Sequence, residues 1–142
     1  MSCIGFLSPA HRAALAASGE GGPPLSAFTS PPASASKVRR VRALAADPTP
    51  AIRESAALSH HAPIDVLEHL ADDADPSVRA CVARNPRTPT WVLTALAADR
   101  SPRVRGWVAA HRLCHPDLLA RLAADPDPAV RAVVAWAAGW QH

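Results

Sequence analysis

The chain has 142 residues, a formal net charge of +3, 49% hydrophobic residues and only 4% aromatics, with no Tyr. This length suits one domain, the aromatic content excludes a core of large rings, and no apolar run reaches the ~18 residues of a membrane span. Cys3, Cys81 and Cys114 show neither CxxC nor other ligand spacing, so they read as free thiols in a reducing compartment. The setting expected is cytoplasmic and bacterial in style. Positive charge comes from 14 Arg and one Lys, Lys37. GC-rich coding produces the same bias, so the charge speaks for solubility before it speaks for nucleic acid.

Residues 1–36 read as a flexible N-terminal arm. The opening MSCIGFLSPAHR lacks the basic region and the apolar length of a signal peptide. Within the arm, Ser8 and Pro9 begin a possible short helix that Gly19 ends. GEGGPPLSAFTSPPASAS, residues 19–36, has linker composition.

From residue 37 to 142 the chain is a repeat array. The half repeat is 37–46, the repeats are about 47–72, 73–98 and 99–124, and a partial repeat fills 125–142. Leu44/Leu70/Leu96/Leu122, Asp47/Asp73/Asp99/Asp125, Pro50/Pro76/Pro102/Pro128 and Arg53/Arg79/Arg105/Arg131 each recur every 26 residues without insertion. A fixed period of this kind marks stacked repeats. A first helix in each repeat enters through a capping residue and Pro, at Thr49-Pro50, Asp75-Pro76, Ser101-Pro102 and Asp127-Pro128. It carries Ile52/Ala56, Val78/Val82, Val104/Val108 and Val130/Val134 at helical spacing. A second helix opens at Ala62-Pro63, Thr88-Pro89 and His115-Pro116, the last shifted by one residue, with Val66/Leu67/Leu70 and their counterparts on one face. Helices this short are marginal alone and persist by stacking, so the fold predicted is a short all-α solenoid.

Leu-Ala-x-Asp-Pro-x-x-x-Val-Arg-x-x-Val-Ala, followed by Asn-Pro-x-Thr-Pro-x-x-Val-Leu, resembles the leucine-rich repeat variant (LRV) family. The match is fullest from Leu70 to Leu96, through Asp75-Pro76, Val78-Arg79, Asn85-Pro86 and Thr88-Pro89. The resemblance covers about 38–136. It implies a right-handed, HEAT-like superhelix pairing an α-helix with a short 3₁₀-type helix, and a non-catalytic binding scaffold. The period is slightly longer than is usual for that family. The Cys-rich iron–sulfur module of some similar proteins has no counterpart here, so no cofactor is implied.

The Arg and Asp ladders run together, six residues apart, which points to structure: Arg reaches the preceding loop, or the next repeat's Asp and loop carbonyls. Departures from the repeat are better markers of binding. Trp91 stands where Asp65 and Asp117 stand, in a slot that should face water, and Trp and Arg dominate interface hot spots. Trp107 replaces Ser55, Cys81 and Val133 in a half-buried slot and reads as packing. Eight Arg fall between 79 and 121 against Asp99 and Asp117, while Asp65–Asp75 holds five acids and no Lys or Arg. If Arg84, Arg87, Arg103 and Arg112 share a face with Trp91, that face suits an acidic protein or phosphates.

His60, His61 and His69, and His111 with His115, lack a convincing ligand spacing, so no metal is expected. No nucleophile–base pair or phosphate loop appears, so no catalytic residue is assigned. The last repeat stops at Trp136-Ala137-Ala138-Gly139-Trp140 without its second helix. Trp136 and Trp140 form either a lid over the end or a docking surface for a second copy or a partner. The partner predicted is another protein, with nucleic acid bound through the Arg-rich residues and Lys37–Arg42 as the alternative. Assembly through the apolar C-terminal end is the third reading.

Overall fold

Thr, Asp or Ser followed by Pro starts the first helix of every repeat, and the side chain closes a cap bond at Asp75 and Asp127 but not at Thr49 or Ser101. A computed structural model describes residues 34–139. Among them are eight α-helices and no strand: α1 Ala35–Ala45, α2 Pro50–Ala57, α3 Ile64–Ala71, α4 Pro76–Arg84, α5 Thr90–Leu96, α6 Pro102–Ala109, α7 Pro116–Ala123 and α8 Pro128–Ala138. The expected short helix after Ser8 lies outside the described residues. Helix α1 takes in Ala35 and Ser36, because Ser34 caps it by accepting from the Lys37 N–H at 3.4 Å.

Asp75 and Asp127 cap α4 and α8 by accepting from the N–H groups of Ser77 and Ala129, each at 2.8 Å. Pro occupies the first position of α2, α4, α6 and α8, where its missing N–H leaves nothing unpaired. In the second helices Pro63 and Pro89 sit one residue earlier, as N-caps, while Pro116 is the first residue of α7 behind His115. The one-residue shift in sequence is therefore a change in the proline's role. The helices themselves start in register, at 64, 90 and 116.

These second helices are α-helical, although the resemblance implies a 3₁₀ type. The reason lies in their apolar spacing. Val66/Leu67/Leu70, Val92/Leu93/Leu96 and Leu118/Leu119/Leu122 are all buried, and a stripe at i, i+1, i+4 needs a period near 3.6. The Pro63 and Pro89 carbonyls each accept from the fourth residue on, Leu67 and Leu93, at 3.2 Å.

Helices α2, α4, α6 and α8 pack on one another in succession, and α1, α3, α5 and α7 form a second layer against them. Ala57, Ala83 and Ala109 are buried between the layers beside Val82, Val108, Leu67 and Leu93. Small residues there let the helices approach closely, and each buried Val or Leu contributes about 1.5–3 kcal/mol of transfer free energy. Helices of 7–11 residues would not hold alone. Packing between repeats supplies what length does not.

A polar clamp fixes one repeat to the next. Arg79 donates from Nε to Asp99 Oδ2 at 2.7 Å and from Nη2 to Oδ1 at 3.1 Å, while its Nη1 reaches the Asp73 and Ala74 carbonyls. Arg53 repeats this with Asp73 and the Asp47 and Pro48 carbonyls. Arg105 does so with Asp125 and the Asp99 carbonyl. Each of these carboxylates also accepts from the N–H two residues on, that of Asp75, Ser101 or Asp127. Both partners anticipated for the Arg ladder are thus held at once. Arg131 keeps the loop half, with bonds to the Asp125 and Pro126 carbonyls at 2.6 and 3.0 Å.

Burial alone would raise the Asp73 and Asp99 carboxyls. The hydrogen bonds from Arg53 and Arg79 and from the backbone outweigh it and hold both below the usual carboxylate range. At Asp125 the Arg105 hydrogen bond dominates, with the same result. Lowered carboxylates stabilise the fold above about pH 4, the unfolded Asp value, and lose that contribution as pH falls through the native value.

A second ladder closes the turns between helices. Ser59 Oγ, Asn85 Oδ1 and His111 Nδ1 accept from the N–H groups of His61, Arg87 and Leu113 at 3.1, 2.9 and 3.0 Å. Asn85 Nδ2 donates back to the Ala57 and Ser59 carbonyls, and His111 Nε2 lies 2.9 Å from the Asn85 carbonyl. With Nδ1 accepting, Nε2 carries the hydrogen and the imidazole is neutral. Burial, the leading cause, pushes the His111 pKa down.

Two outcomes follow from these ladders. Arg79→Met leaves the buried Asp99 carboxylate without its cation and should cost about 3–5 kcal/mol in urea unfolding. Arg131→Met, at an exposed position, should cost under about 1 kcal/mol. For His111, stability should decline as pH falls below about 6.5, the unfolded His value. His111→Asn, which installs the Asn85 side chain, should flatten the urea midpoint between acidic and neutral pH.

Candidate functional site

The two layers divide the residues singled out in the sequence. Trp91 lies on α5 in the second layer, 58% exposed, with its Nε1–H donating to Glu68 Oε1 at 2.8 Å. On α3 beside it, Asp65 pairs with Arg42 of α1. Arg84 ends α4 in the first layer, and its guanidinium carbon sits 4.7 Å from the centroid of the Trp107 ring on α6, a cation–π distance. Arg87 spends a hydrogen bond on the His60 carbonyl at 2.6 Å. Arg112 makes only a long one, 3.4 Å, to Pro86 O.

A groove of about 580 Å³ opens between α6 and α8. Gly106 and Ala110 form its floor on α6 and Val130 and Val133 on α8, while Trp107 and Trp136 wall it. The origin of the groove is a run of small residues. Gly106 takes the slot of Glu54, Ala80 and Ala132, and Ala110 takes that of Leu58, Arg84 and Trp136. A Cβ built on Gly106 would meet only the Val133 Cγ2, at 4.0 Å. One repeat earlier the Trp107 ring, under Arg84, stands in the slot that Val133 fills here.

Two smaller hollows share lining residues with the groove. One, of about 250 Å³, is lined by Arg84, Trp107, His111 and Arg112, and the other, of about 300 Å³, by Arg112, Leu119, Trp136 and Ala137. Ala110 lines all three. Arg103 and Asp127 stand on the rim of the main groove.

The structure thus gathers Arg84, Arg103 and Arg112 around Trp107, and Trp136 joins the same groove. It places Trp91 and Arg87 elsewhere. Trp136 is 57% exposed and Trp107 37%; Trp140 lies outside the described residues. Sequence reasoning passed over Gly106 and Ala110, because attention went to large residues in small slots. The signal was the reverse, small residues where the repeat otherwise carries larger ones.

Chemically the groove offers apolar surface and cations. Its lining holds no Ser, Cys or His. Cys81 and Cys114 are buried thiols whose pKa burial pushes up. Among the described residues no group of three or more His, Cys, Asp and Glu could hold a metal ion, and no helix is long and apolar enough to cross a membrane.

The Leucine Rich Repeat Variant domain family matches residues 79–138, from within α4 to the end of α8. No curated protein and no solved structure matches the chain. A repeat domain of this family suggests an interaction scaffold, and such scaffolds are typically non-catalytic. The matched segment contains the Arg79–Asp99 and Arg105–Asp125 clamps and both helices that wall the groove. Over residues 79–138 the chain is thus similar to the Leucine Rich Repeat Variant domain family.

Proposed function

We propose that the array is a scaffold that docks a segment of another protein in the groove between α6 and α8. The observation that carries this reading is the apolar floor between Trp107 and Trp136. Exposed apolar patches of this kind mark interaction sites, and a volume of about 580 Å³ lies within the ~300–1,000 Å³ of ordinary binding clefts. Trp in such a place is the residue type that dominates hot spots. A nucleic acid would need a longer track of cations: of the Arg residues expected to serve it, Arg84, Arg103 and Arg112 line the hollows, while Arg87 is turned to the His60 carbonyl and Arg42 to Asp65.

A benzophenone amino acid placed at position 133 of the full chain should give a discrete protein adduct on irradiation in a lysate of the source cells. Trp136→Ala should reduce that adduct, and the same probe at position 91 should not give it. An adduct of twice the chain mass would assign the groove to a second copy. A labelled DNA duplex or single-stranded RNA bound at low salt and released steeply by moderate salt would replace this reading with the nucleic-acid one.

A further inference from the structure

We infer that the groove's partner segment carries a carboxylate beside a bulky apolar side chain, the apolar group over Gly106 and Ala110 and the carboxylate between Arg84 and Arg112. The inference rests on the docking reading and specifies its chemistry. It begins from Ala110. Ala110 lines all three hollows, and Trp107 lines both the apolar groove and the Arg-lined hollow, so the two lie side by side about that ring. A segment seated against Val130 and Val133 has Arg103 on the rim of the groove and the Arg84 and Arg112 hollow on the other side of Trp107.

The charge of the groove and the Arg-lined hollow is one-sided. Arg84, Arg103 and Arg112 line them against one carboxylate, Asp127, which already accepts from the Ala129 N–H. None of the three Arg is in an ion pair within the described residues. Arg84 lies over the Trp107 ring, and Arg112 has one bond of 3.4 Å. This separates them from Arg53, Arg79 and Arg105, whose donors are filled by Asp carboxylates and loop carbonyls. Uncommitted guanidinium groups at the edge of an apolar cleft favour a carboxylate, which Arg binds in bidentate fashion. A Lys or Arg on the incoming segment would meet like charge.

The same slot supplies the test. Leu58, Arg84 and Trp136 occupy the position of Ala110 in the other repeats, so the backbone there accepts a large side chain. Ala110→Leu should therefore add bulk to the lining that the three hollows share while the array stays folded. Gly106→Glu installs the residue of the Glu54 slot and sets a carboxylate in the groove floor. It blocks the groove independently should Ala110→Leu lose its helical circular dichroism.

The probe is a fluorescein-labelled Gly-Asp-Glu-Leu-Phe-Glu-Asp-Gly peptide, titrated by anisotropy against the full chain. Two companions accompany it, one with Asn and Gln for the acids and one with Ala for Leu and Phe. The acidic apolar peptide should bind, and each companion should bind at least about tenfold more weakly, a difference near 1.4 kcal/mol. Ala110→Leu and an Arg84→Gln/Arg112→Gln double variant should each weaken binding by about tenfold or more. Trp91→Ala should leave it unchanged.

Equal affinity for the neutral companion, or affinity unmoved by the folded blocking variant, overturns the inference. Failure of all three peptides while the probe at position 133 still captures a protein also overturns it, and leaves the docking reading standing. Failure of the peptides and of the probe together removes both.

Discussion

The clamp between one repeat's Arg and the next repeat's Asp is the constraint on which the fold depends. A stack of seven- to eleven-residue helices has little intrinsic register, because Ala, Val and Leu slide past one another at small cost. Arg79 removes that freedom by holding the Asp99 carboxylate and the Asp73 and Ala74 carbonyls at once. Polar groups of two loops would otherwise be left partly dry, and buried polar groups are costly unless paired. Among the described residues no buried side-chain nitrogen or oxygen lacks a partner. Register thus comes from polar satisfaction, and cohesion comes from apolar burial.

Much of this was legible in the sequence because it is written locally. A cap followed by Pro, an apolar stripe at helical spacing and a 26-residue period are each properties of a few neighbouring residues. The identity of the Arg partner was half legible. The co-recurrence of Arg and Asp showed that they belong together, yet the i+20 pairing depends on how far the chain travels through a second helix before it returns. His111 shows the same limit from the other side. Its alignment with Asn85 named a helix-end slot, but the neutral tautomer follows only from which backbone N–H group faces which ring nitrogen.

The groove was illegible for a different reason. It is made by atoms that are missing, at Gly106 and Ala110 on α6, opposite a Val on α8 where the preceding repeat has Trp107. A sequence scan weights residues by what they carry, and a Gly carries nothing. Trp91 drew notice as a large residue in an acidic slot, and the fold gives it a hydrogen bond to Glu68 in the other layer. Trp107 packs under Arg84, as its half-buried slot implies, and it also lines two hollows. One side chain takes part in a packing contact and in two cavity walls because the layer's outer surface is itself assembled from neighbouring repeats.

The spacing of the clamp also bears on how such a chain can change length. Arg53, Arg79 and Arg105 are each tied to a position six residues behind and another twenty ahead, and the two distances sum to one period. Loss of residues 73–98 would bring Arg53 to the same spacing from Asp99 that it now has from Asp73, and gain of a period would leave every pair equally intact. The array is therefore open to unequal recombination between its own copies without loss of register. The groove has no such immunity, since it belongs to one pair of helices whose small residues occur once. Repeat number can drift through duplication while the groove is inherited as a single module.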